Sequence, residues 1–122
     1  MRASVAALLV LVFLAAPCVA VKPTLSSDDV IENSWASKAP MQVARSSLGV
    51  AVVNDKIYAI GGTTENGVVN TNEEYNPVSD TWTYKKPMPT PRENFAITSY
   101  QNKIYCVGGS LNNGTATEAN EV

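Results

Sequence analysis

No histidine occurs anywhere in the 122 residues. Its absence removes the commonest metal ligand and the commonest general base together. Cysteine is almost as scarce, with Cys18 near the start and Cys106 near the end. Charge is sparse and nearly balanced, 9 Lys and Arg against 11 Asp and Glu, for a formal −2. No run of basic residues breaks that balance, so the electrostatic footprint of a nucleic-acid binder is missing.

One long apolar run stands at the very beginning. Residues 1–20 carry Arg2, an apolar stretch over residues 5–16, and small residues at Cys18-Val19-Ala20. A positive start, an apolar middle and a small-residue stop form the pattern of a secretory signal peptide. Cleavage after Ala20 places small Cys18 three residues before the cut, whereas cleavage after Ala16 places bulky Leu14 at that spot and Pro17 first. The rival reading is an uncleaved anchor, since residues 3–21 carry no charge and approach the ~20 positions of a membrane helix. A lipid on Cys18 is disfavoured by Pro17 before it. Either main reading puts the rest of the chain in a secreted or extracytoplasmic setting, with membrane attachment only if the segment stays uncleaved. Loss of the leader takes Arg2 and Cys18 with it. Cys106 then stands alone, so no internal disulfide forms and packing must supply stability. Residues 21–33 read as a polar linker, where Ser27-Asp28-Asp29 caps at most a turn too short to persist unaided.

The remainder, residues 34–122, repeats itself. With an offset of 47 residues, Trp35 falls on Trp82, Lys38 on Lys85, Pro40-Met41 on Pro87-Met88, and Arg45 on Arg92. Lys56-Ile57-Tyr58 matches Lys103-Ile104-Tyr105, and Gly61-Gly62 matches Gly108-Gly109. Self-similarity at one fixed period is the mark of a repeat architecture.

Within each copy the signals are those of strands. A β-branched stretch over residues 47–53 meets the turn pair Asn54-Asp55, then Lys56-Ile57-Tyr58-Ala59-Ile60 closes at the glycines. The second copy runs over residues 95–100, turns at Gln101-Asn102 and returns over residues 103–107. The returning strand is apolar on both faces and needs cover on both sides. Polar loops follow the glycines, then a third strand at residues 72–75 and a fourth at residues 81–84. Four short strands per repeat with turns between them make one blade of a β-propeller.

These landmarks resemble the kelch family. The residues that carry the likeness are Pro91-Arg92 before an apolar strand, the stretch from Ile57 to Gly62 and its copy from Ile104 to Gly109, Glu73 to Pro77 with Tyr75, and Trp82 five residues past that proline. The period agrees with the ~50 of such repeats. The resemblance implies an all-β protein of four-stranded antiparallel kelch-type blades, here an incomplete propeller. One blade is whole, the second stops at Asn120-Glu121-Val122, and Trp35 reads as the outer-strand remnant of a preceding blade. Propellers close with ~4 to 8 blades, so further kelch blades in the same or another chain are expected, and an N-terminal fragment of a larger exported propeller is the leading expectation.

The recurring Tyr58, Tyr105, Tyr75 and Trp82 are expected to pack blades together, their polar tips finding backbone partners. The glycine pairs let a neighbouring backbone pass closely. Arg45 and Arg92 either bond carbonyls of an adjacent blade or line a binding rim. Cys106 occupies the place of Ala59 and reads as a small buried hydrophobe. The resemblance implies a non-catalytic module that binds a protein or glycan through its loops and needs no cofactor. Candidate loop residues are Arg45, Arg92, Glu93, Asn94, Asn66 and Asn112. The alternative is part of a secreted carbohydrate enzyme, similar to a sialic acid mutarotase or a galactose oxidase. The copper chemistry of the latter calls for His ligands that this chain does not hold, and the former needs acids and Arg converging as Arg92 and Glu93 alone do not. Asn113-Gly114-Thr115 is a candidate N-glycosylation acceptor at Asn113. N-terminal sequencing of the chain expressed with its own leader is expected to start at Val21; an intact residue 1 in the membrane fraction gives the anchor instead.

Overall fold

The computed structural model describes residues 33–122; the leader expected at residues 1–20 and the linker expected up to Asn33 otherwise lie outside them. Residues 37–122 form one compact unit. Every regular element among the described residues is a β-strand. Trp35 lies in no strand. An outer strand needs a neighbour in its own blade, and none precedes β1 among the described residues.

The first blade holds β1 (Gly49–Val53), β2 (Lys56–Ile60), β5 (Asn72–Asn76) and β6 (Thr81–Lys85), ordered β1-β2-β5-β6 and antiparallel throughout. The loop after the first glycine pair, expected to be irregular, folds into a two-residue hairpin of β3 (Thr63–Thr64) and β4 (Gly67–Val68). The second blade holds β7 (Ala96–Tyr100), β8 (Lys103–Val107) and β9 (Asn120–Glu121). The two-residue turns behave as their sequence requires. Asn54 and Asp55 have φ of 50° and 58°, and Gln101 and Asn102 have 47° and 59°. Positive φ at both central residues is the type I′ condition, which matches the twist of the strands it joins.

Alternation along β1 decides which side of the blade is covered. Gly49, Ala51 and Val53 are buried, while Val50 and Val52 are exposed. The first set faces the second blade: a Cβ added at Gly49 would sit 2.7 Å from Phe95 and 3.0 Å from Ile97. Ile60, Met88 and Cys106 make the centre of this inter-blade core, with Tyr58, Phe95, Ile97 and Ile104 packed around it. Cys106 is 4% exposed beside Ala59 at 3%, so each fills the same kind of small site in its own blade. Burial pushes the Cys106 thiol up, which leaves it a packed and unreactive group. The expectation that the second strand of each hairpin is covered on both faces holds for β2. It fails for β8, whose Val107 is 44% exposed, because its outer face has no further blade against it among the described residues.

Register places Gly49, Ile60, Asn72 and Lys85 at one end of the first blade, and Ala96, Val107 and Asn120 at the corresponding end of the second. All the long connections leave from that end; the short turns occupy the other.

A buried guanidinium anchors each connection as it enters its blade. Arg45 donates through Nη1 to the carbonyls of Gly61 and Thr71, both at 2.9 Å, and through Nη2 to Ala59 O at 3.2 Å and Glu73 Oε1 at 2.9 Å. Arg92 repeats the pattern with Gly108 O at 3.1 Å, Ala119 O at 2.6 Å, Cys106 O at 3.0 Å and Glu121 Oε2 at 3.0 Å. The carbonyls belong to the blade that each Arg leads into and not to an adjacent one. Removing one partner of a buried ion pair strands the other, at ~3–5 kcal/mol. Urea unfolding of Arg45→Ala is expected to show a loss of that order. Arg45→Lys recovers little of it, because an ammonium cannot present the planar fork that serves four acceptors at once.

Candidate functional site

The candidate loop residues divide sharply by burial. Both side chains of the Arg45–Glu73 pair are fully buried, and so is the Arg92 side chain. Neither guanidinium reaches solvent at the loop end, so these two candidates serve inside the blades. Glu93 is half-buried, while Asn66, Asn94 and Asn112 are exposed. Arg92 and Glu93, neighbours in sequence, therefore do not converge on a shared cavity.

The long-loop end is one joined surface. Glu93 and Ser110 exchange backbone hydrogen bonds at 3.0 and 2.8 Å, and the Asn94 N–H donates to Ser47 O at 3.1 Å. The β3–β4 hairpin of the first blade touches the 110–117 loop of the second, where the Val68 N–H donates to Asn112 Oδ1 at 3.1 Å. Asn112 packs so tightly there that a Cβ on Gly67, whose φ is +113°, would lie 2.7 Å from Asn112 Oδ1. Asn66 tops the hairpin with its N–H bonded to Thr64 Oγ1 at 3.1 Å. Exposed Asn113 accepts the Thr115 N–H through its side-chain oxygen at 3.0 Å. Glu65 and Glu118 are exposed on the same loops, so the end is rich in amides and mildly acidic.

The aromatic landmarks are used internally. The Trp82 ring centroid lies 5.0 Å from that of Tyr75, and its indole N–H donates to Ala39 O at 2.8 Å. Asp80 accepts from the Tyr75 hydroxyl at 2.6 Å and from the Ala39 N–H at 2.9 Å. The outer hairpin thereby grips the connection entering the blade. The Tyr58 hydroxyl finds a side chain in place of the expected backbone partner, donating to Glu74 Oε2 at 2.6 Å, while Lys85 Nζ lies 3.1 Å from the other oxygen.

Sequence reasoning missed the acids. Glu73 and Glu121 each bind a buried Arg, and Glu74 binds Tyr58; Glu73 was named only as a repeat landmark, and no acid was given a partner. The available signal was the recurrence of Asn72-Glu73 as Asn120-Glu121, displaced by one loop residue from the common offset. A groove of about 510 Å³ opens between the blades, lined in part by Tyr58, Asn72, Met88, Ile104, Glu121 and Val122. Among the described residues no group of three His, Cys, Asp or Glu is placed to hold a metal ion.

The Tyr58–Glu74 contact sets a pH signature. The hydrogen bond to Glu74, with some burial, pushes the Tyr58 hydroxyl up to about 12. The same bond holds Glu74 below its ordinary value of 4.5; burial opposes it, and Lys85 and Lys56 add to the lowering. Because folding raises the Tyr58 pKa, its contribution to stability is whole below pH ~10 and disappears as pH climbs toward about 12. Folding lowers that of Glu74, so its contribution holds above pH 4.5 and is lost on acidification. Ultraviolet titration is expected to show Tyr58 and Tyr75 ionising late, and only Tyr58 returns toward ~10 in Glu74→Gln.

The family description "Kelch motif" matches residues 44–89. A protein of Arabidopsis thaliana named as an F-box/kelch-repeat protein is 37% identical over 49 residues, covering 40% of this chain and 13% of its own length. The influenza virus NS1A-binding protein of Homo sapiens is 41% identical over 56 residues, covering 46% of this chain and 8% of its own length. The chain thus spans only a small part of the length of either relative. Among solved structures, the one titled "Structure of YjhT" superposes with a TM-score of 0.62 at 23% identity, covering 66% of this chain and 25% of that one. That likeness is one of fold. The matched residues 44–89 hold the whole first blade and the second copy repeats its pattern, so the chain carries kelch-type repeats.

Proposed function

We propose that the chain is a non-catalytic interaction module, exported from the cytoplasm, which binds a protein ligand through its long-loop end. The observation that carries this reading is the joining of loops from both blades into one surface, through Glu93 with Ser110, Asn94 with Ser47, and Asn112 with Val68. Recognition loops work when a scaffold fixes them. Here the fixing bonds are made mostly by backbone groups, while the Asn66 and Asn94 side chains remain exposed. The acidic tint from Glu65, Glu93 and Glu118 favours a ligand with donors or basic groups. A human relative is named for binding a viral protein, which supports the same class of role. A carbohydrate enzyme finds less support, since the buried Arg92 is fully engaged by carbonyls and Glu121.

The test is selection of ligands from a displayed random-peptide library in parallel with a glycan array. Peptide ligands are expected, and Asn66→Ala with Glu93→Ala is expected to weaken them tenfold or more, about 1.4 kcal/mol. Val78→Ser, at a 92% exposed position in the turn at the opposite end, should leave them unchanged. Binding that follows Val78 and ignores the loop pair would overturn the reading; a glycan-only result would transfer the same surface to sugars, and turnover of a sugar would favour the enzyme.

A further inference from the structure

Two corresponding loops at the long-loop end are built differently. By the repeat offset, Asn66-Gly67-Val68 of the first copy answers to Asn113-Gly114-Thr115 of the second. The first triplet is folded in. Gly67 and Val68 form β4, and the Val68 N–H is taken by Asn112 Oδ1 at 3.1 Å. The second triplet stands clear. Residues 112–116 are all exposed, and a Cβ added at Gly114, φ +77°, would meet nothing within 4 Å. The turn is nevertheless held in shape, since the Gly114 N–H donates to Leu111 O and the Leu111 N–H to Thr115 O, both at 2.9 Å.

Thr115 in the place of Val68 also changes the chemistry. A hydroxyl two residues after Asn completes the acceptor pattern for N-linked sugar, and no other Asn of the chain has Ser or Thr at that spacing. Asn113 Oδ1 takes the Thr115 N–H, which draws the acceptor amide and the hydroxyl-bearing residue into one turn. The Asn113 amide nitrogen donates to no group among the described residues. The neighbouring residue, Asn112, touches Gly67 and Val68. Only that contact and two chain steps of ~3.8 Å therefore separate Asn113 from exposed Asn66.

We infer that in the exported chain Asn113 carries an N-linked glycan, which overhangs the β3–β4 hairpin and screens Asn66 from bulky partners. The inference rests on the proposed export and narrows the proposed ligand. An extended peptide passes beneath the sugar to Asn66, and a folded domain does not. Transfer joins Asn113 Nδ2 to the anomeric carbon of the first sugar. The nitrogen gives up one proton, and the donor, a lipid-linked diphosphate oligosaccharide, leaves as the lipid diphosphate.

The full chain is expressed in eukaryotic secretory cells twice, behind its own residues 1–20 and behind a foreign cleavable leader. Peptide-N-glycosidase in heavy-oxygen water is expected to convert Asn113 to Asp bearing the heavy atom. Secreted chain with Asn113 unmodified overturns the site. Modification behind the foreign leader alone would fault the proposed export and leave the site standing. Screening is read without any ligand. Asn66→Cys supplies an exposed thiol, while Cys106 is packed inside at 4% exposure. A maleimide bearing a polyethylene glycol chain is expected to label it several-fold more slowly in the glycosylated chain than in one that also carries Asn113→Gln. Small N-ethylmaleimide is expected to label both alike, and Val78→Cys, in the turn at the opposite end, to label equally with either reagent. Equal labelling of Asn66→Cys by the bulky reagent overturns the screening. Slowing with both reagents would mean an altered hairpin and overturns it too.

Discussion

A guanidinium taken out of water must find acceptors for its N–H groups, and that demand organises each blade. Arg45 and Arg92 lie on the connections just before the inner strands, and each gathers three carbonyls and a carboxylate. The carbonyls come from the end of the second strand, the first glycine and the residue two before the Glu. One side chain thus fixes the glycine turn, the start of the third strand and the incoming connection relative to one another. A neutral side chain of similar length would remove a donor from three carbonyls where the chain is least regular; those of Thr71 and Ala119 would keep only the Gly61 and Gly108 N–H, and buried hydrogen bonds lost in this way are costly. The carboxylate completes the arrangement: Glu73 Oε2 also accepts the Gln42 N–H at 2.7 Å, and Glu121 accepts the Thr90 hydroxyl, so the connection is held from both sides.

This arrangement explains why the glycines follow where they do. The chain must turn away from the strand while its carbonyls still point at the guanidinium, and it does so with φ of +61° and +93° at Gly61 and Gly62. At Gly61 the next blade also presses close. Conformation and contact therefore both require glycine there, whereas at Gly108 conformation alone does. The same residue type recurs for a reason that is local, and its second reason depends on what packs against the blade.

Much of the fold was legible because the repeat offset converts one copy into a check on the other. The Asn54-Asp55 and Gln101-Asn102 turns, the strands between them and the glycine pairs all lie where two independent stretches of sequence agree. The β3–β4 hairpin was not legible. It spans two residues per strand and depends on Thr64 Oγ1 and on Asn112 from the other blade, a contact that no local pattern encodes. The roles of the Arg residues were open for a related reason. Arg45 reads the same whether it caps carbonyls or faces a ligand, and only the acids mark the difference. Glu73 and Glu121 sit 28 and 29 residues downstream of their partners, and their alignment between the copies does not by itself tie either acid to its Arg.

Function in such a chain is set by what the internal demands leave over. Trp82, Tyr75 and Asp80 are consumed in gripping the entering connection, Tyr58 and Glu74 in pairing across β2 and β5, and both buried Arg residues in their own blades. The groups that remain fall into two sets of different character. Amides and acids lie at the long-loop end, and apolar side chains with tyrosines lie on the two outer blade faces. Polar groups on joined loops favour directional recognition of a partner, whereas flat faces of Val and Tyr favour contact with another sheet of like spacing. One surface lies at the strand ends and the other on the strand faces, so a partner on either leaves the other open.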